Sequence, residues 1–142
     1  MKNKNFKVLK IDHIAIASKT LEPFMKLFTD ILGVSHGEKE QVENEKVNVL
    51  KFLNKENSTC IEVLEPLSES STVNNFITKR GQGFHHIALE VDNIYNAIEY
   101  LKSIKIKLVY DKPQIGSDNK LITFIHPKFS SGILLELCQK ND

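Results

Sequence analysis

Cysteine is scarce in this chain: Cys60 and Cys138 are the only two among 142 residues. A pair so widely separated makes neither a disulfide framework nor the close CxxC-type pairs of a zinc ribbon, so both are expected to be reduced, buried thiols. Also missing is any apolar run near the roughly 20 residues that cross a bilayer, so no membrane partner is expected. The N-terminal stretch MKNKNFKVLKID has neither the apolar segment nor the small-residue cleavage site of a secretory signal, which makes the cytoplasm the expected location. Charge of one sign is lacking too. Lys and Arg number 19 against 18 Asp and Glu, and a net charge of +1 creates no field that would draw in nucleic acid or an acidic membrane. What is present, 41% hydrophobic and 26% charged residues, suits one globular domain over residues 1–142 with a substantial core.

The chain repeats itself. IDHIAIA at Ile11 to Ala17 resembles FHHIALE at Phe84 to Glu90, and His13 falls on His86. Eight residues after each histidine an amphipathic helix pattern begins, at Leu21 and at Ile94. The first helix is expected to have Thr20 as N-cap, Pro23 in its first turn, an apolar stripe of Leu21, Phe24, Met25, Phe28, Ile31 and Leu32, and a stop at Gly33. The second should be capped by Asp92 and bury Ile94, Ala97, Ile98 and Leu101. Three short strands rich in Val, Ile, Leu and Phe follow each helix. They are expected at Val34 to Val42, Lys46 to Leu53 and Ser58 to Glu65, then at Lys107 to Tyr110, Lys120 to His126 and Gly132 to Gln139. The segment SESSTVNNFITKRG reads as a capped linker helix ending at Gly81. The expected class is therefore α+β, with two tandem βαβββ modules at about 8–67 and 83–139 joined by a linker helix at about 70–81, forming a cupped mixed sheet.

Strand alternation sorts the side chains. Ile14 and Ile16 point one way and His13, Ala15 and Ala17 the other; Ile87, Leu89 and Val91 oppose His86, Ala88 and Glu90. In the last strand of each module a single carboxylate divides two apolar residues, Glu62 between Ile61 and Val63, and Glu136 between Leu135 and Leu137. His13 and Glu62 are 49 residues apart, and His86 and Glu136 are 50 apart. If the modules pack with pseudo-twofold symmetry, these four side chains meet in one cup. Carboxylates in apolar strands need a compensating charge. A single divalent metal ion held by His13, Glu62, His86 and Glu136 would supply it. Such a donor set suits Co, Mn, Ni, Fe or Zn, six-coordinate with two positions open to substrate or water. Cys60 and Cys138 share this face as lining.

At these residues the chain resembles the vicinal oxygen chelate (glyoxalase/bleomycin resistance/dioxygenase) superfamily, and within it the methylmalonyl-CoA epimerases. The resemblance runs from IDHIAIA through CIEVLEPL and STVNNFITKRGQGFHHIALEVDNI to LVYDKPQIG and HPKFSSGILLEL. GFHHIALEVDNI together with IHPKFSSGILLEL is its most specific part. It implies paired βαβββ modules, a metal held by His13, His86 and Glu136 with Glu62 as fourth ligand, and a structural role for His85. The implied reaction inverts the acidic α-carbon of an acyl-CoA thioester through a metal-stabilised enolate. Inversion needs an acid and a base on opposite faces of that planar intermediate. Glu136 is the expected catalytic group on one face. Where some epimerases carry a glutamate in the third strand of the first module this chain has Val49, so Glu62 is the expected group on the other face. IGSDNK stands where the family has a glycine-rich run, and Lys79, Arg80 and Lys128 are candidates for CoA phosphates. The homodimer is the expected assembly.

Two rival readings share the cup. Lactoylglutathione lyase (glyoxalase I) also uses a His, Glu, His, Glu set with allied chemistry. A non-catalytic small-molecule binding protein would use the same cavity, although it has no evident need of a metal with open positions.

Overall fold

The computed structural model describes residues 3–141. Eight strands form: β1 Val8–Ala17, β2 Glu40–Val42, β3 Val47–Phe52, β4 Cys60–Pro66, β5 Gly83–Val91, β6 Gln114–Ile115, β7 Leu121–Ile125 and β8 Leu135–Gln139. The helices are α1, Glu22–Phe24 continuing with π-type bonding over Met25–Ile31, then α2 Thr72–Arg80 and α3 Ile94–Ser103. The described residues divide into two compact units, His13–His85 and a second formed by residues 3–12 with residues 86–141. Among the described residues no helix is long and apolar enough to cross a membrane.

In the unit of residues 13–85 the strand order is β2-β3-β4-β1. β1 pairs in parallel with β4, and β3 antiparallel with both β2 and β4. One face carries Leu50, Phe52, Ile61 and Val63, on which α1 lays Leu21, Phe24, Met25 and Phe28. The other carries Ala15, Ala17, Val47, Val49 and Leu64, on which α2 lays Val73, Phe76 and Ile77. The linker helix is thus a packed element, started by Ser71 Oγ accepting from Val73 N at 3.2 Å and ended at Gly81, whose φ of 80° favours glycine. Ser71 is 1% exposed, so Ser71→Ala is expected to cost about 1 kcal/mol of unfolding free energy, measured by urea denaturation.

Helix α1 departs from the expected pattern. Its first turn is not capped by Thr20. Glu65, from β4, accepts the Leu21 N–H at 3.1 Å and the Asn48 amide at 3.0 Å. Beyond Met25 the backbone bonds span five residues, as from Leu32 N to Leu27 O at 3.0 Å. A five-residue span winds more residues into each turn than an α-helix does, so a stripe spaced for 3.6 residues drifts off the sheet. Ile31 and Leu32 are accordingly 65% and 61% exposed.

In the other unit the order is β5-β8-β7-β6, with β5 and β8 parallel and the remaining pairs antiparallel. Helix α3 packs Ile94, Ala97, Ile98 and Leu101 against Val91, Leu89 and Leu137, as its 3.6-residue pattern requires. Its cap is Asn93, which accepts from Asn96 N at 3.0 Å, rather than Asp92, whose carboxylate takes the Lys7 N–H at 2.8 Å. The opposite face gathers Ala88, Ile122, Phe124 and Cys138, with Tyr110 and Leu134 against them.

Two expected strands shrink. Of residues 34–42 only Glu40–Val42 and a single bridge from His36 to Phe52 are β-paired. Of residues 107–110 only Leu108 makes a bridge, to Ile125, and pairing resumes at Gln114–Ile115 after Pro113. Gly37 interrupts the first segment, and Pro113, with no N–H to donate, separates the second from β6.

Candidate active site

Each unit brings one buried histidine onto one buried glutamate. On β1 and β4 the register sets His13 opposite Cys60 and Ala15 opposite Glu62, and His13 Nδ1 lies 3.3 Å from Glu62 Oε2. On β5 and β8 Ala88 lies opposite Glu136, and His86 Nε2 is 3.2 Å from Glu136 Oε1. The four side chains are 3–6% exposed.

The neighbours of the two pairs are not alike. In the antiparallel partner strand Lys51 of β3 stands directly opposite Glu62, and Phe124 of β7 directly opposite Glu136. Lys51 Nζ reaches Glu62 Oε2 at 3.5 Å, with its side chain 7% exposed. The Phe124 ring meets His86 edge-on, with centroids 5.5 Å apart, and Tyr110 meets Phe124 at 6.2 Å. Lys51 is the polar residue that sequence reasoning overlooked. Its signal was available: in VNVLKF it shares the parity of Val47 and Val49, and a charged residue on an apolar face needs a partner.

Other expected positions also find a place. Val49 is 2% exposed and lies in the cluster under α2. Cys60 and Cys138 are both buried free thiols. Burial pushes the Cys138 thiol up; Asp12 and Glu136 push the same way, Lys120 opposes them, and Glu90 adds a little more. Since the thiolate is the form that ligates metals, Cys138 suits lining. His85 stacks edge-on with Phe76 at 4.8 Å. Lys79, Arg80 and Lys128 are exposed, with the Arg80 guanidinium 5.8 Å from the Phe76 ring centre.

Asp12, the residue before His13, is 4% exposed and receives Lys120 Nζ on both carboxylate oxygens at 2.9 Å. Lys120 ends the IGSDNK turn. Asp118 and Asn119 sit there at φ of 54° and 56°, left-handed values that Asp and Asn tolerate better than other side chains. This explains how a turn can dispense with glycine at those positions. Gly116 is less replaceable, since a Cβ would come within 3.0 Å of Ile122.

The donors fit a divalent cation in type and burial. His13, His86 and Glu136 each offer one buried ligand atom, and imidazole with carboxylate is the donor chemistry of borderline and hard divalent ions. A metal site is therefore chemically supported, with the ion's identity open. Glu62 has the Lys51 ammonium at its carboxylate.

Residues 12–124 match the model of the glyoxalase/bleomycin resistance protein/dioxygenase superfamily. The chain belongs to that superfamily. The mitochondrial methylmalonyl-CoA epimerase of Dictyostelium discoideum is 38% identical over 133 residues, covering 92% of this chain and 78% of the relative. Among solved structures, methylmalonyl-CoA epimerase from Mycobacterium tuberculosis has a TM-score of 0.89 at 30% identity, covering 95% of this chain and 90% of that one. A variant of the Streptomyces coelicolor methylmalonyl-CoA epimerase in complex with 2-nitronate-propionyl-CoA has a TM-score of 0.88 at 29% identity, covering 94% and 96%. The chain is thus an α+β member of the superfamily and an enzyme of the epimerase-like, isomerase type.

Proposed function

We propose that this superfamily member epimerises an acyl-CoA thioester of the methylmalonyl-CoA type: one group takes the proton from an α-carbon flanked by a thioester and a carboxylate, and a second group delivers its own, solvent-derived proton to the opposite face. The observation that carries this reading is the buried imidazole–carboxylate pair found once in each half of a chain whose relatives are named epimerases. His13, His86 and Glu136 would hold one divalent ion, Co, Mn, Ni, Fe or Zn. When bound, such an ion acts as a Lewis acid that draws negative charge from substrate oxygens beside the reacting carbon.

The protein's own groups do the proton work. Glu136, buried beside Phe124, is the acid–base group for one face of the planar intermediate, because a carboxylate sheltered from bulk water keeps the proton it takes. Glu62 is the group proposed for the other face. Phe124 meets His86 edge-on and is itself backed by Tyr110, an apolar wall that would shelter a carbanion from water. A homodimer working in the cytoplasm completes the proposal.

The test is α-proton exchange in deuterated water, followed by mass spectrometry. Deuterium should enter methylmalonyl-CoA in the presence of the metal-loaded protein. Exchange confined to the hemithioacetal of methylglyoxal and glutathione would overturn the proposal in favour of a lactoylglutathione lyase. Binding of acyl-CoA without any exchange would favour a binding protein.

A further inference from the structure

The two imidazole–carboxylate pairs are matched in register but differ in the residue that stands opposite each glutamate. Glu136 faces a phenyl ring, whereas Glu62 faces the Lys51 ammonium at 3.5 Å and the His13 imidazole at 3.3 Å, both directed at the same carboxylate oxygen. All three side chains of the latter set are at least nine-tenths buried. A buried carboxylate whose charge is already countered gains less from a metal than one that is not, because ligation must first break an ion pair that water cannot replace. The contact with His13 has its own effect. Nδ1 is the ring nitrogen turned to the carboxylate oxygen, which leaves Nε2 directed away from it, and a ligating histidine commonly has one nitrogen toward a carboxylate and binds the ion through the other.

We infer that Lys51 withholds Glu62 from the metal, and that the Lys51–Glu62 ion pair serves as a positioning device that presents His13 Nε2 as the ligand. This rests on the metal reading given above. It departs from the four-ligand set expected from the repeat, since Glu62 then supports a ligand instead of being one. Lys51 is in this sense a positioning residue. It acts through Glu62 and sets how many protein groups the ion receives.

The experiment uses the full chain stripped with a chelator and titrated with Co²⁺, read by calorimetry and by the visible ligand-field spectrum. Wild type should bind one Co²⁺, and Glu62→Gln, whose amide oxygen can still accept from His13, should bind with affinity within about twofold and an unchanged spectrum. Lys51→Met should bind at least tenfold more tightly (about 1.4 kcal/mol or more) with an altered spectrum, because the released carboxylate joins the coordination. The double variant Lys51→Met/Glu62→Gln should lose both the gain and the spectral change. Lys51→Gln serves as the second variant if Lys51→Met does not fold, with circular dichroism as the check. A tenfold or greater loss in Glu62→Gln, or unchanged affinity and spectrum in both Lys51 variants, would overturn the inference while leaving the metal reading intact. Failure of the wild type to bind Co²⁺ would remove both.

Discussion

Glu136→Gln is expected to slow α-proton exchange on the substrate by roughly 10²–10⁴-fold, the range lost when a positioned general acid–base is removed. The substitution keeps the volume of the side chain and its hydrogen-bonding oxygen. It removes the negative charge and the ability to take a proton, and those are the properties the reaction requires. The surroundings sharpen the loss. Glu136 is 4% exposed and faces Phe124, so no water from bulk stands in for the missing base. The amide oxygen can take the place of the carboxylate oxygen that lies 3.2 Å from His86 Nε2, so folding should be little affected. Stopped exchange with an unaltered circular dichroism spectrum is the expected pair of observations. Exchange within tenfold of wild type would remove Glu136 from the chemistry.

Lys120→Met should produce the largest loss of stability, about 3–5 kcal/mol, the cost of removing one partner of a buried pair. For a chain of this size that lowers the thermal midpoint by on the order of 10 °C. The two partners are not equivalent. The Asp12 side chain is 5% exposed and that of Lys120 17%. Without Asp12 the lysine can turn its ammonium toward water, whereas without Lys120 the aspartate loses both of its 2.9 Å contacts, and Lys10 stands further off at 3.7 Å. Asp12→Asn should therefore cost less than Lys120→Met, and the double variant less than Lys120→Met alone. Equal losses in the three would show that the carboxylate is solvated after all.

Much of the architecture was legible because the repeat constrains it twice. The two histidines, the two strand glutamates and the stripe of α3 all follow from parity and spacing, which depend on local backbone geometry. The misplaced features depend on partners distant in sequence. Glu65 serves the start of α1 from a strand 44 residues further on, and nothing near Thr20 announces that. The π-type winding after Met25 comes from backbone bonding that an apolar pattern does not encode. Lys51 was passed over because the repeat was read through what its halves share, and it lies at a place where they differ.

That difference has a bearing on descent. Lys51 and Phe124 hold the same register position, each opposite the glutamate of its own module. Codons for lysine and phenylalanine differ at every base. If the modules are copies of one ancestral gene, no single mutation separates them at this point. The copies had to diverge through intermediate codons, each serving a working protein. A gene doubled in this way first yields two interchangeable halves. The pairing of an ammonium with one carboxylate and a phenyl ring with the other records that the halves have since taken on separate duties.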